Sequence, residues 1–161
     1  MTAPIDAMAK PLRVEIVALH PAWRGLQREA RRVLQAAAAA ENAGGAVSLL
    51  LADDAALRVL NRDWRGKDKP SNVLSFPAAE GQGDALGYIA LAAETIAAEA
   101  AAQCKSFSAH MSHLLTHGLL HLLGYDHEIE AEAEAMEARE RAILQQLGLA
   151  DPYAETNSAA P

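Results

Sequence analysis

The sequence predicts a single α+β domain in which a small mixed β-sheet of about four strands packs with about five helices. Four short stretches are continuously apolar or alternate between apolar and polar residues, as strands do, and five longer stretches have helical periodicity. The total of 161 residues is about the length of one domain. We expect this domain to span residues 1–153, and the small, polar residues 154–161 to form a disordered tail.

Four strands are predicted in order along the chain. Residues 12–19 alternate between polar and apolar side chains, and residues 46–52 form a short apolar run after a Gly-Gly break. Residues 73–76 follow a polar loop and are closed by Pro77. Residues 88–92 follow a glycine-rich loop. Together these stretches supply the predicted sheet.

Five helices are predicted between and after these strands. The first, residues 23–41, has arginines on one side and an alanine run behind them. Asp53 or Asp54 can cap the second helix, which we expect to end at about Trp64. The three others are predicted at residues 93–103, 106–123 and 130–147.

Composition limits the classes of protein that fit. Apolar residues make up 51% of the chain but aromatic residues only 4%, which predicts a core packed through small side chains. No apolar run approaches the length of about 18 residues that a membrane helix needs, so we expect no membrane partner. The chain begins without the features of a signal peptide and has one cysteine, Cys104, so we expect a cytoplasmic location. We interpret Cys104 as a buried or unreactive thiol.

Charge is unevenly distributed along the chain. The formal net charge of −7 argues against indiscriminate binding to nucleic acid, and we expect no DNA partner. Residues 62–69 nevertheless carry four basic and two acidic groups, and residues 24–32 carry four arginines and one glutamate. Residues 128–141 carry six glutamates and two arginines. A polyanion can therefore still bind at one face.

A histidine motif, HGLLHLLGYDH at residues 117–127, predicts a metal site. His117 and His121 are four residues apart, so both imidazoles project from one face of a helix. Gly124 can end that helix in a left-handed conformation and let the chain bring His127 to the same point. Three neutral imidazoles suit one Zn²⁺ per chain and leave a fourth position open, as in catalytic zinc sites. The alternative is a helix with two core-facing histidines and an unrelated third.

The neighbours of the motif argue against a zinc peptidase. In the HExxH motif the glutamate after the first histidine is the general base, and here that position is Gly118. We expect His113, which drifts off the ligand face, to be a supporting or structural residue, and His110 to be exposed. Asp126 is either a hydrogen-bond partner of His127 or a residue that stabilises the turn.

A basic loop is the second unusual stretch. In LNRDWRGKDKPSNVLSFP, residues 60–77, four cations are clustered: Arg62, Arg65, Lys67 and Lys69. The planar guanidinium of arginine suits phosphate oxygens and stays charged at any relevant pH. A basic loop beside a metal-bound water would suit phosphodiester cleavage. The alternative is a solvated polar loop.

Both motifs resemble those of the YbeY family, bacterial endoribonucleases that act in ribosomal RNA maturation. HGLLHLLGYDH is similar to the family signature and LNRDWRGKDKPSNVLSFP to its second motif, and the similarity extends to AHMSH and EAMEARE. It covers about residues 46–153. The resemblance implies an α+β metal-dependent hydrolase domain, a zinc ion held by His117, His121 and His127, and an important arginine at Arg65. It also implies cleavage of single-stranded RNA, 3′-end processing of small-subunit (16S) ribosomal RNA and ribosome quality control. Ribosomal RNA and small-subunit ribosomal proteins are the implied partners.

The chain departs from the family pattern at two positions. Ser71 stands where the family usually has threonine, which keeps the hydroxyl. Tyr88 stands where the family commonly has an aspartate directly after a glycine. If that carboxylate supports the active site, its support is either absent here or supplied from elsewhere, with Asp84 as the candidate.

Two other functions remain open from the sequence. The first is a zinc hydrolase that acts on another substrate, such as an amide or a peptide. The missing glutamate and the basic loop argue against this alternative. The second is a non-catalytic, zinc-stabilised ribosome-assembly factor that binds ribosomal RNA or a ribosomal protein. A substrate panel separates the two enzymes. Support of ribosome assembly by a variant without metal ligands separates the enzyme from the binding protein.

Overall fold

A computed structural model describes residues 10–153, so the tail predicted at residues 154–161 lies outside the described residues. The strands are β1 (Arg13–Ala18), β2 (Ala46–Ala52), β3 (Val73–Pro77) and β4 (Ala85–Ala92). The helices are α1 (Gln27–Ala40), α2 (Asp54–Arg65), α3 (Ala93–Ala102), α4 (Phe107–Leu122) and α5 (Glu130–Gln146). A 3₁₀ turn, Pro21–Trp23, precedes α1.

The four strands form one mixed sheet in the order β1-β2-β4-β3. Strand β2 pairs in parallel with β1 on one side and with β4 on the other. Strand β3 is an edge strand and pairs antiparallel with β4. The predicted α+β class, with a four-stranded mixed sheet and five helices, is confirmed for the described part of the chain.

Two boundaries differ by three or more residues from those that the sequence predicts. The helix predicted from residue 23 begins at Gln27, because Gly25 adopts φ +80° and separates the 3₁₀ turn from α1. Strand β4 begins at Ala85, because its first residues pair with both neighbours: Ala85 opposite Ala46 and Gly87 opposite Pro77. Tertiary pairing therefore extends a strand whose first residues have no strand pattern of their own.

The sheet separates a large core from a small one. Helix α4 lies in the large core, where Leu115 and Leu119 pack with Ile89 and Leu91 of β4. Helix α2 covers the other face of the sheet, where Leu57 packs with small residues of β2 and β4. The faces alternate along β4 because successive side chains of a strand point in opposite directions. Within residues 10–153, no helix is long and apolar enough to cross a membrane.

Helix α1 packs closely through small side chains, as the low aromatic content predicts. Ala30, Ala37 and Ala38 are all at most 1% exposed. The fully buried Trp23 is the exception, and its Nε1 donates to the carbonyl oxygen of Ala52 at 2.9 Å. This hydrogen bond satisfies the one polar atom that the indole brings into the core.

Candidate metal centre

The end of helix α4 brings the third histidine back toward the first two. Gly124 has φ +104°, a conformation that a side chain disfavours. Its N–H donates to the carbonyl oxygen of His121 at 3.0 Å, and the N–H of Tyr125 donates to that of Leu120 at 3.0 Å. These two bonds form a Schellman motif, which reverses the chain at once after the helix. His127 therefore lies beside the last turn of α4.

Three imidazoles converge at this point. The ligand nitrogens of His117, His121 and His127 all lie within 4.8 Å of one another. The Nε2 atoms of His117 and His121 are 3.1 Å apart. Two nitrogens that bind one tetrahedral Zn²⁺ at about 2.0–2.1 Å lie about 3.3 Å apart, so the spacing fits a shared zinc ion. Among the described residues the group has three members and no fourth, which leaves one position of a tetrahedral site open.

Hydrogen bonds to the Nδ1 atoms of His117 and His121 determine which ring nitrogen is free to bind a metal. Nδ1 of His117 donates to Oε2 of Glu140 at 2.5 Å, and Nδ1 of His121 donates to the carbonyl oxygen of Tyr125 at 3.0 Å. A carboxylate and a carbonyl only accept hydrogen bonds, so both rings carry their proton on Nδ1. Both Nε2 atoms therefore present a lone pair toward the centre of the group. This is the arrangement found around metal-binding histidines.

Glu140, on helix α5, is fully buried behind these rings. Its Oε1 accepts from Nε2 of His113 at 3.1 Å and from the hydroxyl of Tyr153. Burial by itself would raise the pKa of the Glu140 carboxyl. The hydrogen bonds from His113, His117 and Tyr153 outweigh burial and lower that pKa to about 2. The carboxylate is therefore ionised throughout the neutral range and able to hold His117 in place.

Glu140 was not predicted from the sequence as a site residue, although it lies in the segment EAMEARE. The position of Glu140 on its helix could have indicated that it has a partner. Met136, Ile143 and Leu144 form the buried stripe of α5, and Glu140 lies on that same stripe. A glutamate is almost never fully buried unless it is paired, so its place on an apolar face indicates a partner.

His121 and Asp126 show how the neutral imidazoles are kept in place. Burial lowers the pKa of His121, and the nearby His117 and His127 lower it further, so its ring favours the neutral form that binds metal. Oδ1 of Asp126 accepts from the backbone N–H of His127 at 2.7 Å. Asp126 was expected either to bind the His127 side chain or to stabilise the turn. This backbone contact supports the second role.

Gly118 faces the sheet, and its lack of a side chain allows close packing there. A Cβ at this position would lie 3.0 Å from Oγ of Ser75 and 3.3 Å from a side-chain atom of Ile89. The hydroxyl of Ser75 donates to the carbonyl oxygen of Gly118 at 3.1 Å. A glutamate after His117, as in zinc peptidases, does not fit this helix–sheet contact.

Arg65 lies at the end of α2, beside the edge strand. Its Nη2 is 3.5 Å from the carbonyl oxygen of Ser75, the residue whose hydroxyl binds Gly118. Ser75 is thus a contact shared by Arg65 and by the helix turn that carries His117. The guanidinium of Arg65 is exposed, and its role toward a substrate stays a prediction.

The basic loop is held by its own side chains. The buried Asn61 donates from Nδ2 to the carbonyl oxygen of Lys69 at 2.9 Å. Arg58 pairs with Asp68 at 2.7 Å. The four cations that the sequence singled out as phosphate-binding candidates are all exposed: Arg62, Arg65, Lys67 and Lys69. Sequence reasoning missed Asn61, which lies on the buried side of α2 among apolar neighbours.

Two expectations from the sequence are wrong, and a third is narrowed. His110 is buried rather than exposed, and its Nε2 lies 2.7 Å from Oε1 of Glu99, which compensates for its burial. Cys104, interpreted as buried or unreactive, is exposed in a turn after the end of α3, so its lack of reactivity stays a prediction. Asp84 does not support the histidines: it is exposed and pairs with Arg13 at 2.9 Å. The carboxylate that does contact a histidine of the group belongs to Glu140.

The fold and the three histidines define a class of protein: α+β proteins whose three-imidazole site leaves a ligand position open. Comparison with solved structures agrees on the fold. The solution structure of TM1509 from Thermotoga maritima superposes with a TM-score of 0.57 at 22% identity. The match covers 88% of this chain and 99% of that one.

Comparison with sequences identifies the family. The model of the family described as endoribonuclease YbeY matches residues 19–148. The endoribonuclease YbeY of Rhodopseudomonas palustris (strain BisB18) is 48% identical over 159 residues, with 90% of this chain and 94% of that protein covered. The endoribonuclease YbeY of Bradyrhizobium sp. (strain BTAi1) is 53% identical over 124 residues, with 72% and 73% covered. The chain belongs to the endoribonuclease YbeY family.

Proposed function

We propose that this chain is a zinc-dependent endoribonuclease that cleaves single-stranded RNA, matures the 3′ end of small-subunit (16S) ribosomal RNA and takes part in ribosome quality control. One observation supports the metal-dependent chemistry above all: two imidazole Nε2 atoms 3.1 Å apart, with a third imidazole in the same group. Family membership supports RNA as the substrate, because the relatives are named endoribonucleases.

In this proposal His117, His121 and His127 hold the ion. Bound Zn²⁺ supplies a Lewis acid for a phosphoryl oxygen and lowers the pKa of a coordinated water. Glu140 keeps the His117 ring in its ligand orientation. Arg65 donates to the non-bridging oxygens of the scissile phosphate and offsets the negative charge that grows there in the transition state.

The rest of the basic loop binds the RNA on either side of the cleaved bond. Arg62, Lys67 and Lys69 contact neighbouring phosphates, and each contact adds to the salt dependence of binding. The net charge of −7 keeps the affinity for naked RNA modest. Specificity therefore comes partly from small-subunit ribosomal proteins in the cytoplasm. Cleavage of precursor ribosomal RNA only at the mature end, by the isolated protein with no partner, would contradict this dependence.

A single experiment tests the metal and the reaction together. Zinc content of the purified protein is measured beside cleavage of a single-stranded RNA, for the native chain and for His121→Ala. We expect about one Zn²⁺ per native chain, and loss of both zinc and cleavage in the variant. His20→Asn is the matched control, since it removes a distant histidine and keeps a side chain that can accept from the N–H of Ala22. Full cleavage by a zinc-free His121→Ala protein would refute the proposal.

A further inference from the structure

An open pocket with aromatic walls lies on the face of the sheet opposite helix α4. It measures 540 Å³ and is lined by Leu60, Trp64, Phe76, Pro77 and Tyr88, and we refer to it as the aromatic pocket. Its volume lies within the range of about 300–1,000 Å³ that ligand sites occupy. The side chain of Trp64 is 74% exposed, whereas Trp23 in the core is fully buried. Phe76 and Tyr88 are half-buried, so the exposed Trp64 and two partly accessible rings together form an apolar surface of the kind that binds a partner.

The walls of the aromatic pocket belong to regular elements. Phe76 of β3 and Tyr88 of β4 are directly paired across the two strands, with ring centroids 6.2 Å apart. Leu60 and Trp64 are four residues apart on α2 and so share one face of that helix. The pocket is therefore built on a strand pair and a helix, which fix the backbone positions of these four residues before any ligand arrives.

The aromatic pocket is continuous with the candidate metal centre through the edge strand. The guanidinium carbon of Arg65 lies 5.7 Å from the centroid of the Phe76 ring. Nη2 of the same guanidinium is 3.5 Å from the carbonyl oxygen of Ser75, whose hydroxyl binds Gly118 beside His117. Strand β3 thus has Phe76 on the pocket side and Ser75 on the histidine side, with Arg65 at the edge between them.

The charges around the pocket favour a polyanion. Lys67 and Lys69 follow Trp64 within five residues, are exposed, and form no ion pair within residues 10–153. The two nearest carboxylates, Asp63 and Asp68, are already paired with Arg62 and Arg58. A purely apolar partner gains nothing from these free cations, whereas a nucleic acid brings both a ring to stack and a phosphate to neutralise.

We propose that the aromatic pocket binds an unpaired base of a single-stranded RNA, next to the phosphate that Arg65 contacts. Bases stack on aromatic side chains only when they are free of a duplex, so this pocket makes the site selective for single strands. The inference rests on the proposed function and deepens it: the histidines face the bond to be cut, and the pocket selects the conformation of the strand that carries it.

The chain provides its own reporter for the test. It contains two tryptophans, of which Trp23 is fully buried and Trp64 is exposed, so a base that stacks in the pocket quenches only the emission of Trp64. The His121→Ala protein is titrated with a mixed-sequence single-stranded oligoribonucleotide, which it binds without cutting. The same strand in duplex form is the second probe, because it has the phosphates but no free bases.

Substitutions in the His121→Ala protein assign the effect to the pocket. Trp64→Ala should weaken binding of the single strand about fivefold to a hundredfold, the range measured for loss of one base–aromatic stack. Trp64→Phe should bind nearly as well as the parent but lose the RNA-dependent quenching. Leu19→Ala is the matched control, since Leu19 is 61% exposed and follows β1 at the opposite edge of the sheet. It should bind as the parent does.

Each outcome separates the pocket from the proposed function. Quenching by the single strand, with weaker binding by Trp64→Ala, supports the pocket. Equal binding by Trp64→Ala and its parent overturns the pocket but leaves the nuclease proposal intact if the zinc-loaded native chain still cuts RNA. Quenching without cleavage by the zinc-loaded native chain refutes the nuclease and keeps an RNA-binding pocket. Equal quenching by the duplex would contradict the proposal that an unpaired base stacks in the pocket. Quenching by small-subunit proteins but not by RNA would contradict it as well.

Discussion

Glu140 holds His117 by a hydrogen bond between two helices: Oε2 of the carboxylate lies 2.5 Å from Nδ1 of the imidazole. The carboxylate is fully buried and also accepts from His113 and Tyr153. Such a partner orients a ligand imidazole and raises its basicity, and its loss typically costs 10- to 100-fold in metal affinity. The packing of α5 against α4 is thereby coupled to the candidate metal centre.

Glu140→Gln should therefore weaken zinc binding by about 10- to 100-fold. The amide nearly preserves the size of the side chain but removes the charge that attracts the Nδ1 proton of His117. Competition with a zinc chelator of known affinity measures the change. Glu137→Gln is the control on the same helix, because that glutamate lies 3.9 Å from Arg141 at the surface. If both variants bind zinc as the native chain does, the carboxylate does not orient a ligand.

Metal occupancy and cleavage should fall together as the pH drops below about 6. Protons compete with metal for the imidazoles, whose pKa is about 6.5 when unperturbed. Burial and the neighbouring histidines lower the pKa of His121, so this ring stays neutral to a lower pH than a free imidazole. Occupancy is then complete above about pH 6.5 and is lost on the acid side. Zinc content after dialysis between about pH 7.5 and 5, measured beside RNA cleavage, checks this. Cleavage that disappears in acid while zinc stays bound would point to a different titrating group.

Arg65→Ala should lower RNA cleavage by about 100- to 1,000-fold, the loss typical of removing one donor to a developing negative charge. The guanidinium is exposed, so fold and zinc content should be unchanged. Arg65→Lys should restore only part of the rate, because a point charge does not reproduce a bidentate contact. Single-turnover cleavage of a single-stranded RNA is the measurement. Arg28→Ala, an exposed arginine on α1, is the control; an Arg65→Ala protein that is as active as Arg28→Ala would exclude a catalytic role.

Gly118→Ala should destabilise the fold by about 1 kcal/mol, although alanine favours helices by about 1 kcal/mol over glycine. The added Cβ would lie 3.0 Å from Oγ of Ser75 and 3.3 Å from Ile89, and overpacking of this kind costs about 1–3 kcal/mol. Urea unfolding measures the change. In a Ser75→Ala background the same substitution should cost less, since the closest atom is gone. If Gly118→Ala stabilises the native chain instead, Ser75 and Ile89 move away from the added Cβ at no measurable cost.

Much of the architecture follows from local sequence patterns. The four strands and five helices were predicted within a few residues, because hydrophobic periodicity and Gly or Pro breaks act over short distances. The largest misplacement, the start of α1, arose at Gly25, where a positive φ interrupts a pattern that otherwise continues. Predictions failed where burial depends on distant neighbours. His110 was expected at the surface and is buried against Glu99, which belongs to another helix.

The sequence by itself determined that His117, His121 and His127 meet, since helical spacing places the first two on one face and Gly124 turns the chain back after them. These constraints lie within eleven consecutive residues, so they need no partner from elsewhere in the chain. Only the tertiary structure decided what stands behind and beside the histidines. Glu140 reaches His117 from α5, and Ser75 relates Arg65 to Gly118 across an edge strand. Those contacts depend on how helices and sheet pack in three dimensions, and residue spacing alone does not encode the packing.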